Sequence, residues 1–324
     1  MYTYKELSEK VQQYFAEETF SGTPEHLYAP IAYTLEGGGK RIRPLLMLAA
    51  ADCMGGDIEE ARYAAVGLEV FHNFTLLHDD LMDRSPLRRG KPTVYRKWDE
   101  NTAILSGDAM NILAWRYFLR LPHPRLHEIL KVFEQTSMEI CEGQQYDMDF
   151  ESRNDVSISE YMEMIRLKTA VLLGCALKIG ALYADAKPQD VEHLYQFGIR
   201  IGLAFQLRDD LLDTYGDTAT FGKQTGTDIR DNKKTFLLLS ALEQADSELH
   251  EHLIRLCTTE PTNPDEKVVE VVKIYNSLKI RELTEQRIEE LHREALHHLE
   301  QCSGSEMQKK VLFDIAEMLL KRNV

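Results

Sequence analysis

At 324 residues, 44% of them hydrophobic, the chain is long enough for one large domain or two ordinary ones and apolar enough to bury a substantial core. Its formal net charge of -15, with no long block of Lys and Arg to offset it, excludes a general nucleic-acid binder. Five scattered cysteines (Cys53, Cys141, Cys175, Cys257 and Cys302), odd in number and without CxxC spacing, argue against a disulfide framework or a zinc site and fit a reducing cytoplasm.

The opening stretch MYTYKELSEKVQQYF reads as the start of an amphipathic helix rather than a charged leader ahead of an apolar segment. No window approaches 18 uninterrupted apolar residues, so neither export nor a membrane span is expected. GGGKRIRP at 37–44 places Lys40, Arg41 and Arg43 behind a flexible glycine run. It is not a P-loop, because the spacing GxxxxGK[ST] is absent and no strand precedes it. In ARYAAVGLEVFHNFTLLHDDLMD, Val66, Val70, Phe74 and Leu77 form a helical stripe that runs into the acidic cluster DDLMD at 79–83. RSPLRRGKP at 84–92, LPHPR at 121–125 and TTEPTNP at 258–264 punctuate the chain without forming a long linker. A second cluster, DDLLD, stands at 209–213 within AFQLRDDLLD, and the flanks of the two copies do not match. Strand-like alternation is scarce. The pattern predicts an all-α fold of ten or more helices in a single domain over 1–324.

Helix geometry gives the two clusters a chemical meaning. Residues four apart share a face, so Asp79 pairs with Asp83 and Asp209 with Asp213, with Asp80 and Asp210 beside them. Converging carboxylates in apolar surroundings require cations to offset their repulsion, and oxygen-only ligands select Mg²⁺ or Mn²⁺, with Mg²⁺ usually carrying substrate phosphates. One DDxxD alone is more often a solvated acidic face; two copies in apolar contexts favour the metal. A di-iron carboxylate bundle would need core Glu and a Glu-x-x-His motif, and no suitably placed pair occurs. The basic residues of GGGKRIRP and of LRRGKPT (Arg88, Arg89, Lys91) are donors for phosphate oxygens, although either segment by itself reads more readily as a charged exposed turn.

In combination these segments resemble the trans-isoprenyl diphosphate synthases, or polyprenyl synthetases. The resemblance is carried by GGKRIRP (38–44), HNFTLLHDDLMDRSPLRRGKPT (72–93), EGQQYDMDF (142–150), RLKTA (166–170), FQLRDDLLD (205–213) and FGKQTGTDIRDNKKTF (221–236). It implies an all-helical bundle around a central cavity, usually homodimeric, with the two aspartate motifs on facing helices. The implied reaction joins isopentenyl diphosphate head to tail to an allylic diphosphate.

The resemblance also assigns roles. Mg²⁺ falls to Asp79, Asp83 and Asp209, with Asp80, Asp210 and Asp213 holding waters or outer partners. Arg88, Lys168 and Lys233 match contacts to the allylic diphosphate, and Lys223 a further substrate contact. Lys40, Arg43, His72 and Arg89 match the isopentenyl diphosphate subsite, which needs no metal. Thr169 and Gln206 match oxygens near the reacting carbons, and Gln144 with Asp147 a polar pair beside the metals. Ionisation of an allylic C–O bond explains why positive charge gathers at the leaving group. The departing diphosphate is the implied base for the final proton, and no dedicated His or Glu base is evident.

Product length is the less constrained feature. The first motif lacks the two-residue insertion common in bacterial farnesyl synthases, and the residue five before Asp79 is the aromatic Phe74, followed by the small Thr75. A single aromatic there resembles synthases that stop at geranylgeranyl diphosphate; farnesyl diphosphate is the next choice, and Phe71 and Phe74 could instead be ordinary core residues. Two rival functions are weighed. A class I terpene cyclase typically carries an NSE-type second motif, and a non-catalytic subunit would be expected to have lost aspartates or basic ligands. Neither description fits this chain.

Overall fold

The computed structural model describes residues 1–216, 225–258 and 263–320. Thr3 starts the first helix by a reciprocal cap: its hydroxyl accepts the Glu6 N–H while the Glu6 carboxylate accepts the Thr3 N–H. From there the described chain is helical almost throughout. In order come α1 (Tyr4–Glu17), α2 (Glu25–Glu36), α3 (Ile42–Cys53) and α4 (Ile58–Met82). A minimal hairpin follows, β1 (Leu87–Arg88) and β2 (Lys91–Pro92), then α5 (Val94–Lys97), α6 (Glu100–Phe118), α7 (Leu126–Glu151) and α8 (Ile158–Ile165). A five-residue π-helical turn, Arg166–Ala170, leads into α9 (Val171–Tyr183) and α10 (Pro188–Tyr215). The remainder is α11 (Thr227–Arg230), α12 (Phe236–Gln244), α13 (Ser247–Thr258), α14 (Pro264–Ser277), α15 (Ile280–Gln301) and α16 (Glu306–Leu320). The expected all-α class is therefore observed, and the hairpin is the detail that turn residues alone did not announce. None of the described helices is long and apolar enough to cross a membrane.

Two compact units make up the chain. The first comprises Met1–Val132, Ala176–Val191 and Ser303–Leu312. Its centre is α3, where Leu45 to Ala51 are all buried, packed on α1 and α4, while α4 lies along α6. The predicted stripe on α4 is buried at Val66, Val70 and Leu77, with Phe74 only half-buried. Asp190, itself buried, accepts hydrogen bonds from the Ser303 backbone N–H at 2.6 Å and from the Ser303 hydroxyl, tying two of the three segments together.

The second unit comprises Phe133–Cys175, Glu192–Cys302 and Phe313–Val324. Here α8 opens on a capping box at Ser157 and runs into the π-turn, and α12 packs on α8, α14 and α15. Phe236 to Ala241 are buried on every side of α12, which explains its continuous apolar run.

Candidate active site

The first aspartate motif ends α4 in the first unit. Asp80 points inward and is 5% exposed, whereas Asp83 is the C-cap residue and lies at the surface. The hairpin then folds back on the helix end: Thr93 donates to the Ser85 and Pro86 carbonyl oxygens, and Arg88 Nε comes 2.8 Å from each oxygen of Asp80. Arg88 Nη2 stands 3.5 Å from Asp79 Oδ2. Burial pushes the Asp80 carboxyl up to about 6, against the pull of Arg88.

The same unit carries the basic cluster. Arg43 Nη1 lies 3.0 Å from His72 Nε2. Arginine can only donate, so Nε2 accepts and the His72 proton sits on Nδ1. Burial, then Arg43, Arg89 and Arg88, hold the imidazole pKa well below its ordinary value, so His72 is neutral. Burial also lowers Arg43, to about 10, and its Nε is buried with no hydrogen-bond partner among the described residues. Arg89 Nη1 donates to the Gly38 carbonyl oxygen, joining the hairpin turn to the glycine run, and Lys40 is exposed beside that run. The buried Glu69, hydrogen-bonded by Asn73, balances this cluster; burial raises its pKa while Arg43, Arg41 and Arg89 lower it.

The second motif lies on α10 in the second unit, among more partners. Asp210 is 5% exposed and takes hydrogen bonds from the Tyr161 hydroxyl and, at 3.0 Å, from Gln206 Nε2. Burial lifts Asp210 to about 7 even with both donors in place. Gln206 in turn accepts from the Thr169 hydroxyl at 3.1 Å, which links the two polar residues singled out in the sequence. Thr169 and Lys168 are presented by the π-turn, a feature common at functional sites. Lys168 Nζ lies 2.6 Å from Asp147 Oδ2 on α7. The π-turn backbone packs on α7 at a glycine in EGQQYD: a β-carbon at Gly143 would stand 2.3 Å from the Lys168 backbone nitrogen. Gln144 Nε2 is a buried donor without a partner among the described residues. Asp213 Oδ2 accepts the Asp228 N–H at 3.0 Å, and Lys233 Nζ is 4.0 Å from Asp228. Burial and the neighbouring Asp213 and Asp210 push Asp228 well above the usual carboxylate range. Lys223 lies outside the described residues.

Three participants escaped the sequence reading. Asp228 stands in the quoted GTDIRD segment but repeats no spacing, Tyr161 gives no signal at all, and Glu69 is visible only as an acid inside the apolar stripe of α4. Below the first motif, Phe71 is buried and its ring centroid is 5.4 Å from that of Phe74, while the Thr75 hydroxyl donates to the His72 carbonyl oxygen.

Among the described residues no group of three His, Cys, Asp or Glu side chains is spaced to hold a metal by itself. Asp80 and Asp210 are engaged by Arg88 and by Tyr161 with Gln206. What each motif offers is a carboxylate-only donor set, and the mutual repulsion written into Asp228 shows that the second one is crowded with negative charge. Such a set fits a hard divalent cation that takes one or two carboxylates and completes its shell with water and phosphate oxygens.

Residues 24–275 match the polyprenyl synthetase family. A short chain isoprenyl diphosphate synthase from Methanothermobacter thermautotrophicus is 37% identical over 98% of this chain and 97% of its own. A geranylgeranyl diphosphate synthase from Methanosarcina mazei is 42% identical over 68% of this chain and 69% of its own. A solved geranylgeranyl pyrophosphate synthase is 44% identical, with a TM-score of 0.95 and complete coverage of both chains. With both aspartate motifs, the basic cluster and the π-turn in place, the chain belongs to the polyprenyl synthetase family and is a trans-prenyltransferase of the isoprenyl diphosphate synthase type.

Proposed function

We propose that this chain condenses isopentenyl diphosphate with an allylic diphosphate to give a short all-trans prenyl diphosphate of geranylgeranyl length. The observation that supports the reading is a separation of charges: two carboxylate motifs suited to metal, and apart from the first a cluster of Arg43, neutral His72 and Arg89 suited to an anion without metal. Asp79, Asp83 and Asp209 are the proposed Mg²⁺ ligands, with Asp80, Asp210 and Asp213 in support; Mn²⁺ is a chemically similar substitute. Bound there, Mg²⁺ supplies the positive charge that stabilises the departing diphosphate.

The chain's own residues do the rest. Arg88, Lys168, Lys233 and Lys223 bind the allylic diphosphate, and Lys40, Arg43, His72 and Arg89 bind isopentenyl diphosphate. The hydrogen-bonded Thr169 and Gln206 present dipoles to the carbocation; neither is a strong nucleophile. Gln144 and Asp147 orient the polar surround, Asp147 by holding Lys168. Phe71, Phe74 and Thr75 set product length. The departing diphosphate takes the last proton.

A homodimer in the cytoplasm is the proposed working form. Leu105, Ile112 and Leu119 recur every seven residues along α6 and the turn after it, 60 to 63% exposed, an apolar stripe suited to a second copy. Residues 1–324 are proposed to act as one catalytic domain. The test is to incubate the chain with Mg²⁺, labelled isopentenyl diphosphate and, in turn, dimethylallyl, geranyl and farnesyl diphosphate. Geranylgeranyl diphosphate as the dominant product supports the reading; no condensation with any primer overturns it.

A further inference from the structure

Lys267 is 3% exposed, on a helix whose sequence, PDEKVVEVVK, gives no reason to bury a charge. An ammonium is buried only where its donors are satisfied. Lys267 Nζ donates to Asn232 Oδ1 and lies 3.4 Å from the Arg230 carbonyl oxygen; no described carboxylate lies within ion-pairing distance of it. Burial accordingly pushes this ammonium below the ordinary lysine range. Arg230 ends α11 and Asn232 sits in the short connection to α12, where it adopts a left-handed backbone with φ 57. That residue sets the direction in which its neighbour, Lys233, leaves the chain.

The same turn of α14 holds the connection at two further points. Asp265 Oδ1 accepts from Arg230 Nη2 at 2.7 Å, and the Val268 side chain occupies the space in front of Gly226. A β-carbon at Gly226, which has φ 79, would stand 2.7 Å from Val268 Cγ1. Residues 265, 267 and 268 thus fix both ends of the segment from Gly226 to Asn232, which also contains Asp228. Just beyond it, the Lys233 N–H donates back to the Asp228 carbonyl oxygen at 2.9 Å. An apolar residue at 267 would fill the volume yet leave two partly buried oxygens without this donor; one ammonium with three N–H groups serves both.

We infer that Lys267 is a positioning residue that aims Lys233 at the allylic diphosphate by holding Asn232 and the Arg230 carbonyl. The inference rests on the proposed contact between Lys233 and that diphosphate. The experiment measures KM for each substrate in full-length, Mg²⁺-supplied Lys267→Met, Asn232→Gly, Lys233→Ala and the double variant Lys267→Met/Lys233→Ala, each shown to be helical by circular dichroism. Asn232→Gly still admits the left-handed backbone while it removes the side-chain acceptor, and decides the question if Lys267→Met does not fold. Expected is a rise of about tenfold in KM for the allylic diphosphate in Lys267→Met and Asn232→Gly, with less than about twofold for isopentenyl diphosphate. In the Lys233→Ala background, Lys267→Met should add nothing further. An allylic KM that stays put in both single variants overturns the inference, as does the same rise with and without Lys233. If Lys233→Ala alone leaves the allylic KM unchanged, the assignment of Lys233 itself has failed, and the inference falls with it.

Discussion

Arg88 Nε is shared evenly by the two oxygens of Asp80, 2.8 Å from each, while its Nη2 stands 3.5 Å from Asp79 Oδ2, so one edge of the guanidinium is committed to the first aspartate motif. Arg88→Ala should raise KM for the allylic diphosphate at least tenfold and KM for isopentenyl diphosphate far less, while Arg43→Ala does the reverse. Arg88→Lys should recover only part, because a point charge cannot span Asp80 and a phosphate together. The alanine variant also strips a partly exposed ion pair, at about 1 kcal/mol of stability. Steady-state kinetics on both substrates checks this; equal shifts for both substrates in both variants refute the division.

Metal ligation predicts a different kinetic signature. Asp79→Ala and Asp209→Ala should lower kcat by about 100-fold or more with little change in isopentenyl diphosphate binding, because charge at the leaving group develops only in the transition state. Chelation of Mg²⁺ should abolish turnover in the unmodified chain. Near-normal kcat in either variant would remove that aspartate from the mechanism.

Product length tests the face of α4 below the metal motif. With a rise of 1.5 Å per residue, Phe74 lies roughly 7.5 Å and Phe71 roughly 12 Å down the helix from Asp79. On the proposed assignment, a chain growing from the diphosphate would meet the half-buried Phe74 first. Phe74→Ala should lengthen the product, Phe71→Ala should do so less, and Thr75→Phe should shorten it. Phe71 is the riskier site, since removing a fully buried ring can cost about 3 to 5 kcal/mol. Chromatography of dephosphorylated products is decisive; an unchanged distribution from folded Phe74→Ala places the floor elsewhere.

His72 gives a pH prediction. Its pKa in the fold is held well below 6.5 by burial and by the arginines around it, so below 6.5 the unfolded chain binds a proton that the folded chain refuses. This contribution makes stability rise with pH through the window between the folded pKa and 6.5, by up to roughly 1.4 kcal/mol per pH unit, and level off above it. His72→Asn should flatten that slope. Urea denaturation at several values between pH 5 and 7.5 measures it, and equal slopes in the two chains would count against a neutral, buried His72.

Carboxylate spacing and helical periodicity were legible from sequence because both repeat locally. Asp79, Asp83, Asp209 and Asp213 could be read off as pairs, and the stripe of Val66, Val70 and Leu77 announced the buried side of α4. What supports those residues was not legible. Tyr161 reaches Asp210 from 49 positions away, and Lys267 reaches Asn232 from 35. Glu69 looks like any acid on a helix until Arg43 and Asn73 are seen beside it. Such partners are selected by tertiary contact, and contact leaves no period in the chain. The hairpin was hidden for another reason: strands of two residues are too short to alternate.

The clasp between Asp190 and Ser303 has a consequence for synthesis. The family match ends at residue 275, yet the first unit is assembled from Met1–Val132, Ala176–Val191 and Ser303–Leu312. An emerging chain therefore cannot finish this unit in the order in which it is made. Until residues 303–312 have left the ribosome, Asp190 lacks the N–H and hydroxyl that satisfy it, and the apolar surface they cover stays open. Completion of the unit that carries the first aspartate motif therefore waits for residues 303–312, so the contacts that close it are among its most distant in sequence.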